Sequence, residues 1–527
     1  MSDVGEKAAA RAALFGQLES RPSFDVVVIG GGATGVGVAL EATARGFRTL
    51  LLEAADLAKG TSSRATKLLH GGVRYLGQGQ FGLVREALRE RTTLFANAPH
   101  VAQPLSFVVP AYSSSELARY TAGLKLYDWM AGPASAGPTR LLRTRDFGGS
   151  VANLSRQQLR GAVRYWDGQF DDARLALLVA RTAAAMGSLV INYCRVERLL
   201  HDGDGRVAGL ACTDTETGRR YEVQAACVVN ATGVWVDSVR GLDAREPAAS
   251  TVRPSQGAHI VVDQSFWPNT EALLIPKTRD GRVVFAVPWL GSTLIGTTDT
   301  ARQDAPPEPL PYGHEIDLIL DEVGRYLHKA PQRRDIRSAW AGLRPLAHDA
   351  RAAHRATSAV SREHTIHVGD SKLVTVTGGK WTTYRSTAQH VIEHCMRSRL
   401  LPHRPGSTRG LRLLGHVPTG TPLWQGPGYH SYGSEAPQVL ALPGAGRVLG
   451  RGLTEAMVRF AARHEYARTV EDVLARRSRL LFLDAWAAAG CAAAVAAILQ
   501  EETGRDPELP AFLDLAAHYA NVHRGAA

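Results

Sequence analysis

The sequence predicts an α/β fold in three parts: a Rossmann-like dinucleotide-binding layer, an antiparallel-sheet domain and a C-terminal α-helical domain. Three observations predict it. The stretch FDVVVIGGGATGVGVALEATARGFRTLLLE, residues 24–53, reads strand, glycine turn, helix, strand, acid. Residues 253 to about 300 alternate apolar and polar between turns at Asp280-Gly281 and Gly291, the pattern of an antiparallel sheet. After a Pro- and Gly-rich stretch at 402–430 the chain turns mainly helical from 431 onward.

The first stretch is a complete βαβ fingerprint, Gly30-x-Gly32-x-x-Gly35. Gly30 suits a turn that needs positive φ, Gly32 lets a pyrophosphate approach the backbone, and Gly35 lets helix and strand pack closely. The helix N-terminus offers free N–H groups and the positive end of its dipole to phosphate. Glu53 ends the second strand where an acid takes a ribose hydroxyl.

At 527 residues the chain is long for a single core, and its composition of 45% apolar and 21% charged residues suits a folded globular protein. Lys and Arg number 61 against 50 acids, a net charge of +11 that favours anionic partners: a phosphorylated substrate, an acidic membrane surface or nucleic acid. The excess is spread along the chain, which weakens the nucleic-acid reading. Five cysteines without a CxxC pair exclude a disulfide framework and a Cys-based zinc site, and point to a reducing compartment. The N-terminus carries Asp3 and Glu6 and lacks an apolar run, so no signal peptide is expected. The alanine-rich stretch 485–499 is too short and too weakly apolar to span a bilayer and reads as a buried helix.

In chain order, residues 1–22 read as a polar helix or arm ending at Pro22. The loop KGTSSRATKLLHGGVRYL (59–76) opens with small hydroxyl residues and closes on a Gly-Gly turn carrying Arg74 and Tyr75. Residues 83–96 are helical in pattern, 104–110 form a strand, and 115–165 read as irregular and helical. A helix is expected at 171–186, a hairpin around the turn 202–205, and a strand from Cys227 running into Ala231-Thr232-Gly233. An amphipathic helix covers 313–330, WAGLRP at 340–345 reads as a turn, and strands near 357–376 lead to TGGKWTTYR.

GGGATG, TSSRATKLLHGGVRYL, NATGVW, PSQGAHIVV, IGTTDT, WAGLRPL, SREH and TGGKWTTYR occur in this order, and together they resemble the FAD-dependent glycerol-3-phosphate dehydrogenases, membrane-associated respiratory enzymes. The likeness covers nearly the whole chain. It implies an FAD-binding domain of the glutathione-reductase/amino-acid-oxidase type assembled from 23–110, 166–250 and 336–400, a cap segment at 111–165 and a substrate sheet at 251–335. An arm (1–22), a linker (401–430) and a helical domain (431–527) complete the expected domains. FAD contacts are expected from Gly30, Gly32, Gly35, Glu53, Thr61, Ser62, Lys67, His70, Gly71, Ala231, Thr232, Gly233, Gly378, Gly379, Lys380 and Thr382. The recurrence of glycine turns far downstream agrees with an extended flavin, which needs backbone approach at several strand ends.

A phosphorylated alcohol needs cations and a proton acceptor. Arg344 is the first choice for the phosphate, since a guanidinium binds two oxygens at once. Arg74, Tyr75, Arg362 and Thr298 complete the expected substrate contacts. The base is His259 or Lys380; as a cation, Lys380 would instead stabilise reduced flavin or developing negative charge. At Ala65, Thr66, Gln256 and Trp381 the chain departs from the family pattern, which bears on the fine shape of the pocket. The resemblance implies oxidation of sn-glycerol 3-phosphate to dihydroxyacetone phosphate, with electrons passed to a membrane quinone by an enzyme peripheral on the cytoplasmic face of the inner membrane. No metal or nucleic acid is expected, and a homodimer stays open. The alternatives are an oxidase using oxygen, a related amine or amino-acid oxidoreductase whose clamp would hold a carboxylate, and a basic flavin-containing RNA-binding protein, which lacks the clustered basic face it would need.

Overall fold

A computed structural model describes residues 2–76, 79–144, 147, 151–243, 245, 250–279, 281–347 and 364–521. Arg362 lies outside the described residues, as does the side chain of Arg74.

The first sheet grows from the apolar run of the fingerprint. β1 (Ser23–Ile29) pairs in parallel with β2 (Thr49–Leu52) on one side and β10 (Arg220–Asn230) on the other. β2 continues to β7 (Leu189–Ile191) and β10 to β18 (Val374–Thr377), both parallel. β17 (Thr365–Val368) closes one edge antiparallel, and the hairpin β8 (Cys194–His201)–β9 (Val207–Asp214) hangs from the first half of β10. Val26 to Val28 and Leu50 to Leu52 are fully buried because both faces are covered, as a parallel core requires. α2 (Ala33–Ala44), α6 (Asp172–Ala185) and α9 (Tyr384–Arg397) pack on one face. Phe15 and Leu18 of α1 (Ser2–Ser20), with the hairpin, cover the other.

The second sheet is mostly antiparallel, in the order β15 (Thr300–Ala301), β11 (Val252–Asp263), β14 (Ser292–Gly296), β13 (Val284–Trp289), β12 (Ala272–Ile275), β4 (Ala102–Ala111), β6 (Gly161–Phe170), β3 (Leu68–Leu69). β16 (Ile336–Ala347) adds to β11, and β5 (Arg140–Leu142) to β6. α3 (Val73–Leu76) and α4 (Phe81–Asn97) follow the first loop, α5 (Ser114–Ala131) lies beside β6, and α7 (Val236–Arg240) follows β10. α8 (Gly313–Gly324) seals one face of this sheet with Ile316, Ile319 and Val323.

Two segments differ from the sequence reading. WAGLRP does not turn: it lies within β16, which pairs with β11 from Val252↔Ala347 to Val262↔Ile336. Gly342 is needed because the loop after β2 crosses here; a Cβ would sit 2.8 Å from the Arg64 carbonyl oxygen. Among the described residues β16 pairs with β11 alone, and an edge strand tolerates Pro345. The span 115–165 holds the expected helix as α5 and much turn and coil, but also β5 and the first half of β6, strands the sequence reading does not place there. β6 escapes a periodicity reading because Asp167, buried at its centre, is paired with Arg91 at 2.8 Å.

The stretch 402–430 is laid down as a packed strap, with Leu413 and Leu423 buried and the Thr408 hydroxyl donating to Glu41 at 2.6 Å. Beyond it come α10 (Ala436–Leu440), the ribbon β19 (Val448–Gly450)–β20 (Leu453–Thr454), α11 (Glu455–His464), a π-helical turn at Asp472–Arg477, α12 (Leu480–Leu483), α13 (Ala485–Thr503) and α14 (Leu509–Ala520). Their core is continuous with the second sheet: Leu481, Phe482 and Tyr519 join Trp289 and Trp340 in one apolar cluster. No described helix is long and apolar enough to cross a membrane.

Candidate active site

A cavity of about 1130 Å³ runs between the two sheets. Its wall includes Gly30, Gly32, Glu53, Thr61, Ser62, His70, Tyr75, Ala231, Thr232, Gly233, His259, Thr298, Arg344, Gly378, Gly379, Lys380 and Thr382. Residues scattered over 350 positions of sequence thus meet around one space, because β1, β10 and β18 end side by side and β11 and β16 face them.

The dinucleotide cradle is made of backbone. Gly30 has φ 109°, and a Cβ there would lie 2.8 Å from the Ala231 carbonyl oxygen. A Cβ on Gly35 would come within 1.8 Å of the Gly30 oxygen, so Gly35 shapes the turn from beneath and is not part of the cavity wall. The Ser62 hydroxyl accepts from Ala33 N–H at 2.8 Å, docking the second loop on the start of α2. Glu53 accepts from Gly31 N–H at 2.6 Å and Ala55 N–H at 2.9 Å, and its burial pushes the carboxyl pKa up despite those bonds. Gly32, Ala33 and Thr34 at the helix start line the same space. A side-chain-free turn, an open helix N-terminus and an acid at the next strand end fit an adenine dinucleotide.

The substrate side is built from cross-strand pairs of β11 and β16. His259 faces Trp340, Gly257 faces Gly342 and Ser255 faces Arg344. The central glycine pair leaves a trough: the loop backbone crosses Gly342, and the Arg344 guanidinium leans so near Gly257 that a Cβ there would be 2.3 Å from Nη2. Arg344 donates to the Thr297 hydroxyl and the Thr298 carbonyl, both at 3.1 Å, and lies 3.5 Å from Asp299. These anchors aim the cation without burying it fully.

His259 stacks on Trp340 at 4.2 Å between ring centres, and its Nε2 is 2.9 Å from the Thr66 hydroxyl. Burial, then the positive charges of Lys67 and Arg344, hold its pKa well below the usual imidazole range. Its ring is neutral at physiological pH, where the sequence alone suggests a group titrating near neutrality. The Lys380 ammonium lies 3.8 Å above the Tyr75 ring centre, joining two expected contact residues from opposite ends of the first fold unit. Thr382 donates to the His70 carbonyl at 3.4 Å, and the Trp381 indole N–H to the Ser62 carbonyl at 2.9 Å.

Besides Gly35, three expected contacts are placed differently. Lys67 is fully buried behind the loop, its ammonium bonded to the Ser63 carbonyl and both oxygens of Asp172 at 2.7–2.9 Å, and it is not part of the cavity wall. Its backbone is left-handed, with φ of 63°, and its ammonium lies among the rings of Trp289, Trp340 and Phe482. Gly71 also lies off the wall; its N–H donates to Asp167, and a Cβ would meet the Tyr127 hydroxyl at 2.3 Å. The Thr298 hydroxyl is spent internally, donating to Glu315 at 2.7 Å and accepting from Ala258 N–H at 2.8 Å. Sequence reading missed Thr66 as the partner of His259, and Asp172 and Arg479 as anchors of the loop; no local motif marks contacts spanning 105 to 416 positions.

A family model described as FAD dependent oxidoreductase matches residues 25–385, and one described as the C-terminal domain of alpha-glycerophosphate oxidase matches 429–509. Among curated proteins, the chain is 40% identical to the mitochondrial glycerol-3-phosphate dehydrogenase of Homo sapiens over 508 residues, covering 89% of this chain and 69% of that one. It is 40% identical to a mitochondrial glycerol-3-phosphate dehydrogenase of Arabidopsis thaliana, covering 95% and 86%. Among solved structures, the glycerol-3-phosphate dehydrogenase of Bacillus halodurans complexed with FAD aligns with a TM-score of 0.77 at 28% identity over 99% of both chains. The L-alpha-glycerophosphate oxidase of Mycoplasma pneumoniae, at 17% identity and a TM-score of 0.55, shares the fold.

Proposed function

This chain belongs to the FAD dependent oxidoreductase family, within it to the glycerol-3-phosphate dehydrogenases, and from that premise we propose that it oxidises sn-glycerol 3-phosphate to dihydroxyacetone phosphate. The observation that carries the reading is the trough in the second sheet, where an anchored guanidinium and a neutral imidazole lie on either side of a glycine pair.

FAD would be held by Gly30, Gly32, Ser62, Glu53, Gly233 and Gly378, and when bound it supplies the acceptor for the hydride leaving C2. The protein's own groups do the rest. Arg344 takes the phosphate, Lys380 and Tyr75 bound the opposite wall, and His259 accepts the hydroxyl proton. A depressed pKa makes a resting imidazole deprotonated but weakly basic. A phosphate dianion beside Arg344 cancels part of the positive potential that depresses it, so substrate binding raises the pKa of His259 toward the working range. The base is thus strengthened when its substrate arrives. Arg344 also aligns C2, and positioning of this kind lowers the barrier.

For the electron acceptor we favour a membrane quinone reached by peripheral docking. Tyr120 and Leu124 of α5 line the cavity with Phe107, Leu274 and Phe285. The opposite face of the same helix carries Trp129 at 72% and Leu126 at 42% exposure, between the exposed Arg119 and Lys125. An apolar stripe edged by cations suits an anionic lipid surface. A second reading, transfer to oxygen, is favoured by the oxidase description of the C-terminal family model. Reoxidation separates the two. Enzyme reduced by substrate under nitrogen should be reoxidised quickly by a soluble quinone analogue and slowly by air; fast reoxidation by air with peroxide formation would replace the quinone reading with the oxidase one.

A further inference from the structure

The loop after β2 has two faces. One lines the cavity through Thr61, Ser62, Arg64, Ala65 and Thr66. The other, formed by the Ser63 carbonyl, the Ala65 N–H and the Lys67 side chain, rests on Asp172 in the first turn of α6. A third partner comes from the C-terminal unit. Arg479, in a left-handed conformation at φ 64° just after the π-helical turn, is 1% exposed. Its guanidinium donates to the Ser63 carbonyl at 2.8 Å, to Asp172 at 3.0 Å and to its own Ala475 carbonyl at 2.7 Å. Beside it, Arg476 and Arg477 both clasp the buried Asp56 of the first unit. One side chain from residue 479 therefore closes a knot 416 positions away, three residues along the loop from the Thr66 hydroxyl that holds His259.

We propose that Arg479 is a positioning residue of the reaction: with Asp172 it fixes the back of the loop, and thereby sets Ser62 on the dinucleotide-binding helix and Thr66 on His259. The C-terminal unit is then a working part of the active site and not an appended domain. The proposal rests on the oxidation assigned above, and on charges as well as contacts. Lys67 faces Asp172 of α6 and Asp171 that caps it, Arg479 from the C-terminal unit and His259 from β11, with Arg344 of β16 beyond the imidazole. Burial and then Arg479 bring the Lys67 pKa down to about 7, so Lys67 discharges within the working pH range, and its charge is in turn felt by His259.

The test uses the full chain with Arg479→Gln and Arg479→Lys. FAD affinity is read by titrating the flavin-free protein and following tryptophan fluorescence. Turnover per bound flavin is read with glycerol 3-phosphate and a dye acceptor across pH. Arg479→Gln is expected to weaken FAD binding and to lower kcat about tenfold or more with little change in KM, because a loop displaced by a fraction of an ångström misplaces the base. The inflection of kcat/KM near neutrality should move to higher pH, since Lys67 loses the cation that helps depress it. Arg479→Lys should recover most of both. If Arg479→Gln does not fold, Asp172→Asn, which weakens the same knot from the α6 side, is expected to lower kcat per flavin in the same way, and an unchanged kcat per flavin there would overturn the proposal. Unchanged kcat per flavin with an unmoved pH profile, even alongside a lower melting temperature, would reduce Arg479 to a structural residue and overturn the proposal. Failure of the unsubstituted protein to react with glycerol 3-phosphate would instead remove the functional reading, which keeps the two failures distinct.

Discussion

Two stretches close in sequence line the same cavity and are held in opposite ways. The turn from Gly30 to Gly35 is set by its own backbone: positive φ, a missing Cβ and a helix start. The loop at 59–70 is set by side chains reaching it from elsewhere, through Asp172, Arg479 and the strand floor at Gly342 and Leu343. A site made of backbone tolerates distant change but fails at a single added methyl group. A site made of buried ion pairs keeps its cofactor when one catalytic side chain is lost, but depends on every domain that supplies a partner.

The largest effect should come from the first region. Gly35→Val places carbon on the Gly30 oxygen, a clash of about 4 kcal/mol or more, or about a thousandfold in FAD affinity; flavin should be absent from the purified protein. Retention of flavin would show the turn to depend less on its backbone than the close Gly35–Gly30 approach implies. Next, Arg344→Met should leave flavin content unchanged and lower kcat/KM for glycerol 3-phosphate about a hundredfold or more; steady-state kinetics with flavin quantified by absorbance checks both halves. His259→Gln should lower kcat about a hundredfold with a small effect on KM. If Lys380 takes the proton instead, His259→Gln will retain most of its kcat.

The smallest effect concerns the joint between the units. Burial raises the Glu471 pKa, but Arg476 and then Lys59 outweigh it and bring it down to about 2 from an ordinary 4.5. The folded pKa is depressed, so the stabilisation is complete above about pH 4.5 and is lost as the pH falls toward 2. Melting temperature measured across this window should fall with acid, and Glu471→Gln should flatten the slope. An unchanged slope would mean that the ion pairs joining the C-terminal unit carry no such linkage.

The contrast also explains what the sequence disclosed. Gly30, Gly32 and Glu53 were legible because helix start, turn and strand end follow one another within 24 residues. The sequence singles out Arg344, yet its segment reads as a turn, since Gly342 and Pro345 carry the same letters in an edge strand crossed by a loop as in a bend. Lys67 read as a cofactor contact because a lysine among small hydroxyl residues suggests anion binding; its partner Asp172 is 105 positions away, and only the fold brings them together. The low pKa of His259 was equally hidden, being a product of burial and of two cations from other elements.

The central claim is tested most directly by mixing the flavin-loaded protein with sn-glycerol 3-phosphate in the absence of oxygen and following the flavin absorbance. Rapid, complete bleaching, with dihydroxyacetone phosphate formed in equal amount and no bleaching by glycine or proline, is the predicted result. A flavin that stays oxidised in saturating glycerol 3-phosphate would contradict the account.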